Sequence, residues 1–344
     1  MQLPREVIVG NGTIESVAEI SQRLGFTKSA LIIAGSKTYE IVGKTIAKIL
    51  TQKGATVNNS IIKTATVKDV EVIEGKIKAT KPQVVFGVGG GTKIDVAKLS
   101  ASRQRVPFIS IPTTASHDGI ASPLSSIKGF EKPFSVMAEA PIAIIADTNI
   151  IMQAPPRLIT SGCADVIAKF TAVKDWKLAH QEKNEYYGEY AASLALMSAK
   201  LVMQNAKLIK QQGEEGLRVL LEALISCGVS MSIAGSSRPC SGSEHLFSHA
   251  LDTIRSNHAL HGEQCGVGTI IMAYLHKANW KRIRDTLRIA GAPTNAEELH
   301  MEKEEIVKAL CTASSIRPER YTILNTLNLS LEDCRKIAET TEVI

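Results

Sequence analysis

Hydrophobic and polar residues alternate in two different ways along this chain, and the change falls near residue 155. Before that point, short β-branched runs are followed by segments in which apolar residues have helical spacing, a pattern typical of a mostly parallel, doubly wound sheet. The strand-like runs are VIVG, ALIIAG, VVFGVGGG, PFISIP and IAIIAD. The helical segments include TIESVAEISQRLG, TYEIVGKTIAKILTQKG and IDVAKLSASR. We therefore expect a Rossmann-like, dinucleotide-binding α/β domain over residues 1–155.

After the AlaProPro of residues 154–156 the strand signals fade and long amphipathic segments follow. Examples are YAASLALMSAKLVMQNAKLIK and LRVLLEALISCGVSMSIAG. Apolar residues in these segments recur with the period of a helix, so residues 156–344 are predicted to form an all-helical domain. Ligands commonly bind between domains, and we expect the active site in the cleft between these two.

Composition narrows the function classes. With 344 residues, 44% hydrophobic and 22% charged, the chain resembles an ordinary soluble protein, and we expect no apolar run near twenty residues that would cross a membrane. The N-terminal MQLPREVIVGNG has no signal-peptide pattern, which predicts a cytoplasmic location. The six cysteines form no CxxC pair, which argues against a cysteine-built zinc site. A net charge of +6 with 4% aromatic residues argues against nucleic-acid binding but suits a small anionic substrate.

Two loops are candidates for binding a nucleotide. In VVFGVGGGTKIDVAK, glycines separate a strand, roughly the third, from a helix, so that backbone N–H groups can approach a pyrophosphate. The loop is not GxGxxG, and a tight βα connection is the alternative. The second loop, IPTTASHDGIASPLSSI, offers several hydroxyls and Asp118 at the end of the next strand, although Asp118 could also cap a helix. After ALIIAG the chain has Gly35, Ser36 and Lys37 instead of a carboxylate, so we expect it to tolerate the 2′-phosphate of NADP.

Four of the eight histidines lie in SEHLFSHALDTIRSNHALHGEQ, residues 243–264. His245 and His249 are four residues apart on a predicted helix, and a second helix starting near His261 could bring His261 to His245 at one metal ion. Asp165, in the apolar SGCADVIAKF, is the best third ligand, which would leave an open position typical of catalytic zinc. A satisfied core pair with His261 as a cap is the alternative. The roles of two further histidines stay open: His117 and His258.

The motifs GGGTKIDVAK, IPTTASHDGIASPLSSI, SGCADVIAK, SGSEHLFSHALD and HGEQCGVGT occur in an order and spacing that resemble one family. Over nearly its whole length the chain is similar to the archaeal sn-glycerol-1-phosphate dehydrogenases, within the group of glycerol dehydrogenase, metal-dependent alcohol dehydrogenases and dehydroquinate synthase. The resemblance implies reduction of dihydroxyacetone phosphate by NADH or NADPH to sn-glycerol 1-phosphate, the backbone of archaeal membrane lipids. It also implies one zinc ion per subunit and a homo-oligomer without membrane insertion.

The resemblance also implies the roles of individual residues. Zinc would be held by Asp165, His245 and His261, and the catalytic and substrate-binding residues would be His249, Asp118 and Asp165 itself. Zinc would polarise the substrate carbonyl, and His249 or a water that it positions would protonate the product oxygen. The nucleotide would contact ten residues: Gly89, Gly90, Gly91, Thr92, Lys93, Asp95, Thr113, Thr114, Ser116 and Ser122.

A phosphate site is also indicated by the residues themselves. In GSSRPCSGSEH, Arg238 and four serines crowd the predicted start of the helix that carries His245, which favours an anion, although Ser241 or Ser243 could simply cap that helix. Glycerol has no phosphate to bind there, so glycerol dehydrogenase is a weaker alternative. A redox-neutral lyase like dehydroquinate synthase would need more converging cations. A nucleotide-binding regulatory module would not need the predicted metal ligands.

Overall fold

The computed structural model describes residues 2–129, 135–255 and 259–344. The chain divides into two compact units, Met1–Ala154 and Pro155–Ile344, and the predicted domain boundary falls one residue later. His258, whose role the sequence leaves open, lies outside the described residues.

The first unit is built on parallel strands. In its described residues the strands are β1 (Glu6–Gly10), β2 (Ser29–Ala34), β3 (Thr56–Ile61), β4 (Val84–Gly89), β5 (Phe108–Pro112), β6 (Leu124–Ser126), β7 (Ser135–Met137) and β8 (Ala143–Asp147). Six of them form one all-parallel sheet in the order β1-β8-β5-β4-β2-β3, and β6 pairs antiparallel with β7. The sheet grows from β2 outward to β3 on one side and to β4 on the other. Because ligands bind where the strand order reverses, the carboxyl ends of β2 and β4 are the favoured place for a nucleotide.

Helices cover both faces of this sheet. They are α1 (Val17–Arg23), α2 (Ser36–Thr38), α3 (Lys44–Gln52), α4 (Val67–Thr80), α5 (Gly91–Arg103) and α6 (Thr148–Ile151), with a π-helical turn at Tyr39–Gly43 and 3-10 turns at Thr13–Ser16 and Asp118–Ile120. Apolar residues of α1 and α3 join one core with Phe86 and Val88 of β4. On the opposite face a Cβ at Gly87 would lie 3.0 Å from Ala97 of α5, so that helix packs directly on the strand. The doubly wound parallel sheet predicted from the sequence is confirmed.

The hydrophobic pattern misses one strand of the sheet. The segment TVNNSI forms β3, which pairs with β2 alone and therefore lies at the sheet edge. An edge strand is partly exposed and can carry polar residues such as Asn58 and Asn59 without burying them. The glycine loop consequently follows the fourth strand, and the expectation that it follows roughly the third is wrong.

The second unit is helical. Its helices are α7 (Pro156–Lys183), α8 (Glu189–Gln204), α9 (Ala206–Lys210), α10 (Glu214–Ala234), α11 (Ser243–Ile254), α12 (His261–Leu275), α13 (Trp280–Ala290), α14 (Lys303–Ile316) and α15 (Leu331–Thr340), with a 3-10 turn at Ile323–Thr326. The long α7 packs against α8, α10, α11 and α12, so it forms the centre of the unit. The predicted helical second half is confirmed.

One helix corrects the expectation about apolar runs. Among the described residues, α10 alone is long and apolar enough to span a membrane. It packs against α7, α8 and α9, and 61% of its most apolar stretch is buried inside the unit. Burial of that kind is typical of a core helix, and the position of α10 between other helices accounts for its apolar sequence.

Candidate active site

A glycine turn joins β4 to α5 at the favoured edge of the sheet. Gly89 has a φ of 149°, which favours glycine, and Gly90 is the N-cap of α5. A Cβ at Gly91 would lie only 1.8 Å from Nε2 of His117, so the absence of a side chain lets the imidazole lie against this turn. Nδ1 of His117 accepts a hydrogen bond of 2.9 Å from the Gly119 N–H. His117 therefore ties the second loop to the glycine turn.

The two predicted nucleotide loops lie side by side in the first unit. The Thr113 N–H donates to the Gly89 carbonyl over 3.0 Å, and a Cβ at Gly90 would lie 3.2 Å from the Thr114 hydroxyl. The hydroxyls of Thr114 and Ser116 are 3.4 Å apart. Backbone N–H groups at the start of α5 and a row of hydroxyls thus border one another, an arrangement that suits a pyrophosphate.

Other predicted nucleotide contacts have partners within the unit. The buried Asp95 carboxylate accepts from the Ser126 N–H over 3.1 Å and pairs with Lys98 at 3.3 Å. Lys98 is fully buried and also donates to the carbonyls of Gly119 and Leu124. Burial lowers the pKa of Lys98, and the negative charge of Asp95 opposes that shift. The structure therefore places Asp95 as a support for the loop that carries Asp118.

Three further residues predicted to contact the nucleotide are Thr92, Lys93 and Ser122. Lys93 Nζ donates to the Lys63 carbonyl over 3.0 Å, and its stem runs past Gly35, where a Cβ would be 2.9 Å from Lys93 Cε. Thr92 is exposed. Ser122 is buried and its hydroxyl donates to the Leu124 carbonyl over 3.3 Å.

In the second unit, four side chains converge from three helices. Asp165 of α7, His245 of α11, and His261 and Cys265 of α12 bring one potential ligand atom each within 4.8 Å of one another. His245 Nε2 lies 3.8 Å from Asp165 Oδ1, and the ring centroids of His245 and His261 are 4.9 Å apart. Cys265 Sγ lies 3.5 Å from His261 Nε2. The three side chains predicted as metal ligands meet, and a thiol that the sequence analysis did not include joins them.

Hydrogen bonds behind the two imidazoles set their orientation. His245 Nδ1 lies 2.8 Å from Glu244 Oε1, and His261 Nδ1 lies 3.2 Å from the Ser248 hydroxyl. The Ser248 hydroxyl donates in turn to Gln264 Oε1 over 2.5 Å. With Nδ1 engaged in both rings, Nε2 is the nitrogen that each ring can offer a metal, as is usual when a carboxylate or hydroxyl lies behind a ligating histidine. This donor set fits a divalent transition metal.

Buried charges surround the cluster. The Lys169 ammonium lies 2.7 Å from Asp165 Oδ1, and both groups are buried. Burial alone would raise the pKa of Asp165, but the positive charges of Lys169, His261 and His245 outweigh it and hold that pKa well below its usual range. Burial also raises the pKa of the Cys265 thiol well above its ordinary value, with Asp165 contributing. Asp165 is therefore an anion that pairs with Lys169.

His249 follows His245 by one helical turn, and its ring lies 6.1 Å from that of His261. Burial lowers the pKa of His249 to about 3, and the positive charges of His261, His245, Arg317 and Arg320 add to this effect. The ring is therefore neutral at ordinary pH, with one N–H proton to donate.

Glycines on α12 allow this convergence. A Cβ at Gly262 would lie 2.0 Å from the carbonyl oxygen of Ser161 on α7. On the other side, a Cβ at Gly268 would lie 2.9 Å from Cδ1 of Phe247 on α11. Both helices therefore approach the backbone of α12 more closely than any side chain would permit, which brings His261 to the residues of α7 and α11.

Arg238, the predicted phosphate contact, has an internal partner. Its Nε donates to Glu185 Oε1 over 2.6 Å, a second N–H reaches the other Glu185 oxygen, and a third donates to the Tyr321 carbonyl over 2.8 Å. At the start of α11, the Ser243 N–H and hydroxyl both donate to Asp175 Oδ2. A carboxylate of the unit thus occupies the helix end at which the sequence analysis expected a bound anion, and Arg238 is neutralised by Glu185.

Comparison with known proteins identifies the family. The family model described as iron-containing alcohol dehydrogenase matches residues 8–155. The protein of Pyrococcus furiosus named glycerol-1-phosphate dehydrogenase (NAD(P)+) is 52% identical over 344 residues, with 100% of this chain and 99% of that protein covered. Its namesake from Thermococcus sibiricus is 53% identical, with 100% and 98% covered. The chain belongs to the glycerol-1-phosphate dehydrogenase family.

Solved structures agree on the fold. The glycerol dehydrogenase of Schizosaccharomyces pombe superposes with a TM-score of 0.82 at 21% identity, covering 99% of this chain and 90% of that one. A probable glycerol dehydrogenase of Sinorhizobium meliloti superposes with a TM-score of 0.79 at 17% identity, with 99% and 97% covered. The resemblance to the glycerol-1-phosphate dehydrogenase family noted from the sequence motifs is confirmed.

Several functional candidates were missed by the sequence analysis. Lys169 follows Asp165 by four residues and Cys265 follows His261 by four, so helical spacing alone could have placed each on the face of its partner. Glu244 directly precedes a predicted ligand, and no periodicity predicts that its carboxylate turns back to the neighbouring imidazole.

Proposed function

We propose that this protein catalyses the NAD(P)H-dependent reduction of dihydroxyacetone phosphate to sn-glycerol 1-phosphate, with a zinc ion held by Asp165, His245 and His261. The observation that supports this most is the convergence of those three side chains, with Nδ1 of both imidazoles engaged and Nε2 left to the metal. The names of full-length relatives at 52% and 53% identity support the substrate and the nucleotide. The product would serve as the glycerol backbone of archaeal membrane lipids.

Each residue of the site has its own role in this reaction. When bound, the metal supplies a Lewis acid for the substrate carbonyl, and the reduced nicotinamide supplies the hydride. Glu244 and Ser248 hold the two imidazoles in one orientation and tautomer. His249 lies one helical turn from His245, and its neutral ring would position a water that supplies the proton to the oxygen that becomes the new hydroxyl. Asp118 contacts the substrate.

The proposed nucleotide site follows the two adjoining loops of the first unit. The N–H groups at the start of α5 bind the pyrophosphate, and Thr113, Thr114 and Ser116 line its path. Ser36 and Lys37 follow β2 where a carboxylate would select against a 2′-phosphate, so the protein accepts NADPH as well as NADH. We further infer that the protein is a cytoplasmic homo-oligomer.

The test is a reduction assay with the zinc-loaded protein. NADH and NADPH oxidation is followed with dihydroxyacetone phosphate and with dihydroxyacetone, and the chirality of the product is determined. We expect turnover of the phosphorylated substrate to the 1-phosphate enantiomer, and loss of turnover after chelation that zinc restores. Asp165→Asn should lose bound zinc. Absence of turnover with zinc and nucleotide both bound would contradict the proposal and favour the redox-neutral lyase.

A further inference from the structure

Three arginines gather near the part of α11 that carries His249. The charges of Arg317 and Arg320 both act on His249, and those of Arg317 and Arg238 both act on Arg320. Arg317 follows the last residue of α14, a helix that packs along α11. Arg320 also donates to the carbonyl of Ser241, two residues before the start of α11, so it lies at the helix that carries His245 and His249.

The three arginines differ in the carboxylates that pair with them. Arg238 is bound by both oxygens of Glu185. Arg317 pairs with Glu319 at 3.0 Å, but the Glu319 side chain is 58% exposed, so water screens that pair. Arg320 has no carboxylate within ion-pair distance among the described residues. Its positive charge is therefore the least compensated of the three.

Arg320 is also fixed in place by hydrogen bonds. It is 8% exposed, and two of its N–H groups donate to the Ser241 carbonyl over 2.6 Å and to the Ser237 hydroxyl over 2.7 Å. Both acceptors are neutral, and a guanidinium has further N–H donors. Burial lowers the pKa of Arg320 to about 9, with Arg317 and Arg238 adding to the shift and Glu185 and Glu244 opposing it. A buried cation with neutral partners is costly unless an anion joins it.

We propose that Arg320, with Arg317 beside it, binds the phosphate group of the substrate and makes the enzyme select phosphorylated over unphosphorylated trioses. The inference rests on the proposed function. In dihydroxyacetone phosphate one methylene and one ester oxygen separate the carbonyl carbon from phosphorus, so a phosphate site must border the site of the carbonyl. The charges of Arg317 and Arg320 reach His249, which adjoins His245 and His261. A planar guanidinium matches two phosphate oxygens at once.

Arg238 has a supporting role in this arrangement. It donates to the Tyr321 carbonyl, directly after Arg320, and so steadies the turn that presents the neighbouring guanidinium. Arg238 and Arg320 are both buried, so the sequence pattern cannot distinguish them. Glu185 neutralises Arg238 inside the unit, whereas Arg320 has only neutral acceptors among the described residues and can bind an external anion.

The experiment compares Arg320→Gln, Arg320→Lys and Arg317→Gln with the wild type. The kcat/KM is measured for dihydroxyacetone phosphate and for dihydroxyacetone, and zinc content is determined for each variant. Arg218→Gln is the matched control, because Arg218 is an exposed arginine of α10 that pairs with Glu222. Loss of a charged hydrogen bond to phosphate should lower kcat/KM for the phosphorylated substrate on the order of 10- to 100-fold in Arg320→Gln.

Specificity separates a phosphate contact from a merely structural role. We expect the ratio of kcat/KM for dihydroxyacetone phosphate to that for dihydroxyacetone to collapse in Arg320→Gln, with zinc content unchanged, and to be partly kept in Arg320→Lys. An unchanged preference in Arg320→Gln would overturn the proposal and leave the proposed function standing. If Arg320→Gln does not fold, the half-buried Arg317→Gln decides by the same ratio.

A third measurement tests the anion site even if the proposed function is wrong. If the wild type does not reduce dihydroxyacetone phosphate, inorganic phosphate is used as the probe, with chloride at equal ionic strength as the reference. A rise in Tm that the wild type and Arg218→Gln show and Arg320→Gln lacks would keep the anion site. Equal shifts in all three would overturn it.

Discussion

Gly262→Ala tests whether the close approach of α12 to α7 builds the metal cluster. The added methyl carbon would lie 2.0 Å from the carbonyl oxygen of Ser161 and 2.7 Å from its carbonyl carbon. Both obstacles are backbone or near-backbone atoms of a buried helix, so no side chain can rotate away. Since ordinary contact begins near 3.4 Å, the two helices must separate locally by about 1.4 Å.

A separation of this size should weaken metal binding strongly and lower the stability of the fold only modestly. Overpacking costs about 1–3 kcal/mol, and alanine in place of glycine returns about 1 kcal/mol through helix propensity. A net loss of at most about 2 kcal/mol should lower Tm by no more than a few degrees. His261 is adjacent to Gly262 and Asp165 lies one turn beyond Ser161, so the same shift moves two ligands apart. Metal–ligand distances tolerate only about 0.2 Å, and zinc affinity should fall on the order of 100-fold or more.

The assay is a zinc competition titration against a chromophoric chelator, run beside thermal unfolding of the metal-free protein. The matched control is Gly75→Ala, the same substitution at an exposed position in the middle of α4, where nothing lies within 4 Å of the new methyl group. This control should leave zinc affinity unchanged and raise Tm slightly. Wild-type zinc affinity in Gly262→Ala would refute the idea that this contact positions the ligands.

Three further predictions follow from the structure. Glu244→Gln should lower zinc affinity about 10- to 100-fold by removing the carboxylate behind His245 Nδ1, and an unchanged affinity in the same titration would contradict that role. Ser36→Asp should reduce the use of NADPH relative to NADH about tenfold through roughly 1–2 kcal/mol of like-charge repulsion, and steady-state kinetics with both nucleotides would show it. Asp69→Ala should lose about 1 kcal/mol in urea unfolding at pH 7, because Asp69 caps α4 through Thr66. Burial opposes the depressed pKa of Asp69 but its hydrogen bonds outweigh it, so this stability is present above the usual aspartate pKa and should vanish as pH falls through the lowered value; a gap independent of pH would contradict the assignment.

Most of the fold could be read from the pattern of the chain. The buried strands β2, β4, β5 and β8 have continuous apolar runs because helices cover both of their faces, and such runs are easy to recognise. The edge strand β3 could not be recognised in this way, since its exposed face accepts the polar residues of TVNNSI. The apolar length of α10 exceeds what we expected from the sequence. A helix in a protein core is apolar nearly all round, so it can resemble a membrane span.

The candidate ligands were found because helical spacing puts His245 and His249 near one another and because an aspartate in an apolar segment needs a partner. The same reasoning could not distinguish Arg238 from Arg320. Both are buried arginines, and only the position of Glu185, some fifty residues from one of them, decides which is neutralised.

By itself the sequence determined the two-part organisation, the parallel sheet, the glycine turn and the residue types that a metal site requires. These properties depend on local patterns, which repeat along a strand or a helix. The tertiary structure alone decided that Asp165, His245 and His261 meet, that Cys265 joins them, and that Asp175 fills the helix end expected to bind an anion. Such contacts depend on how closely helices approach, and that distance is set by atoms far apart in the chain, such as Gly262 and the carbonyl of Ser161.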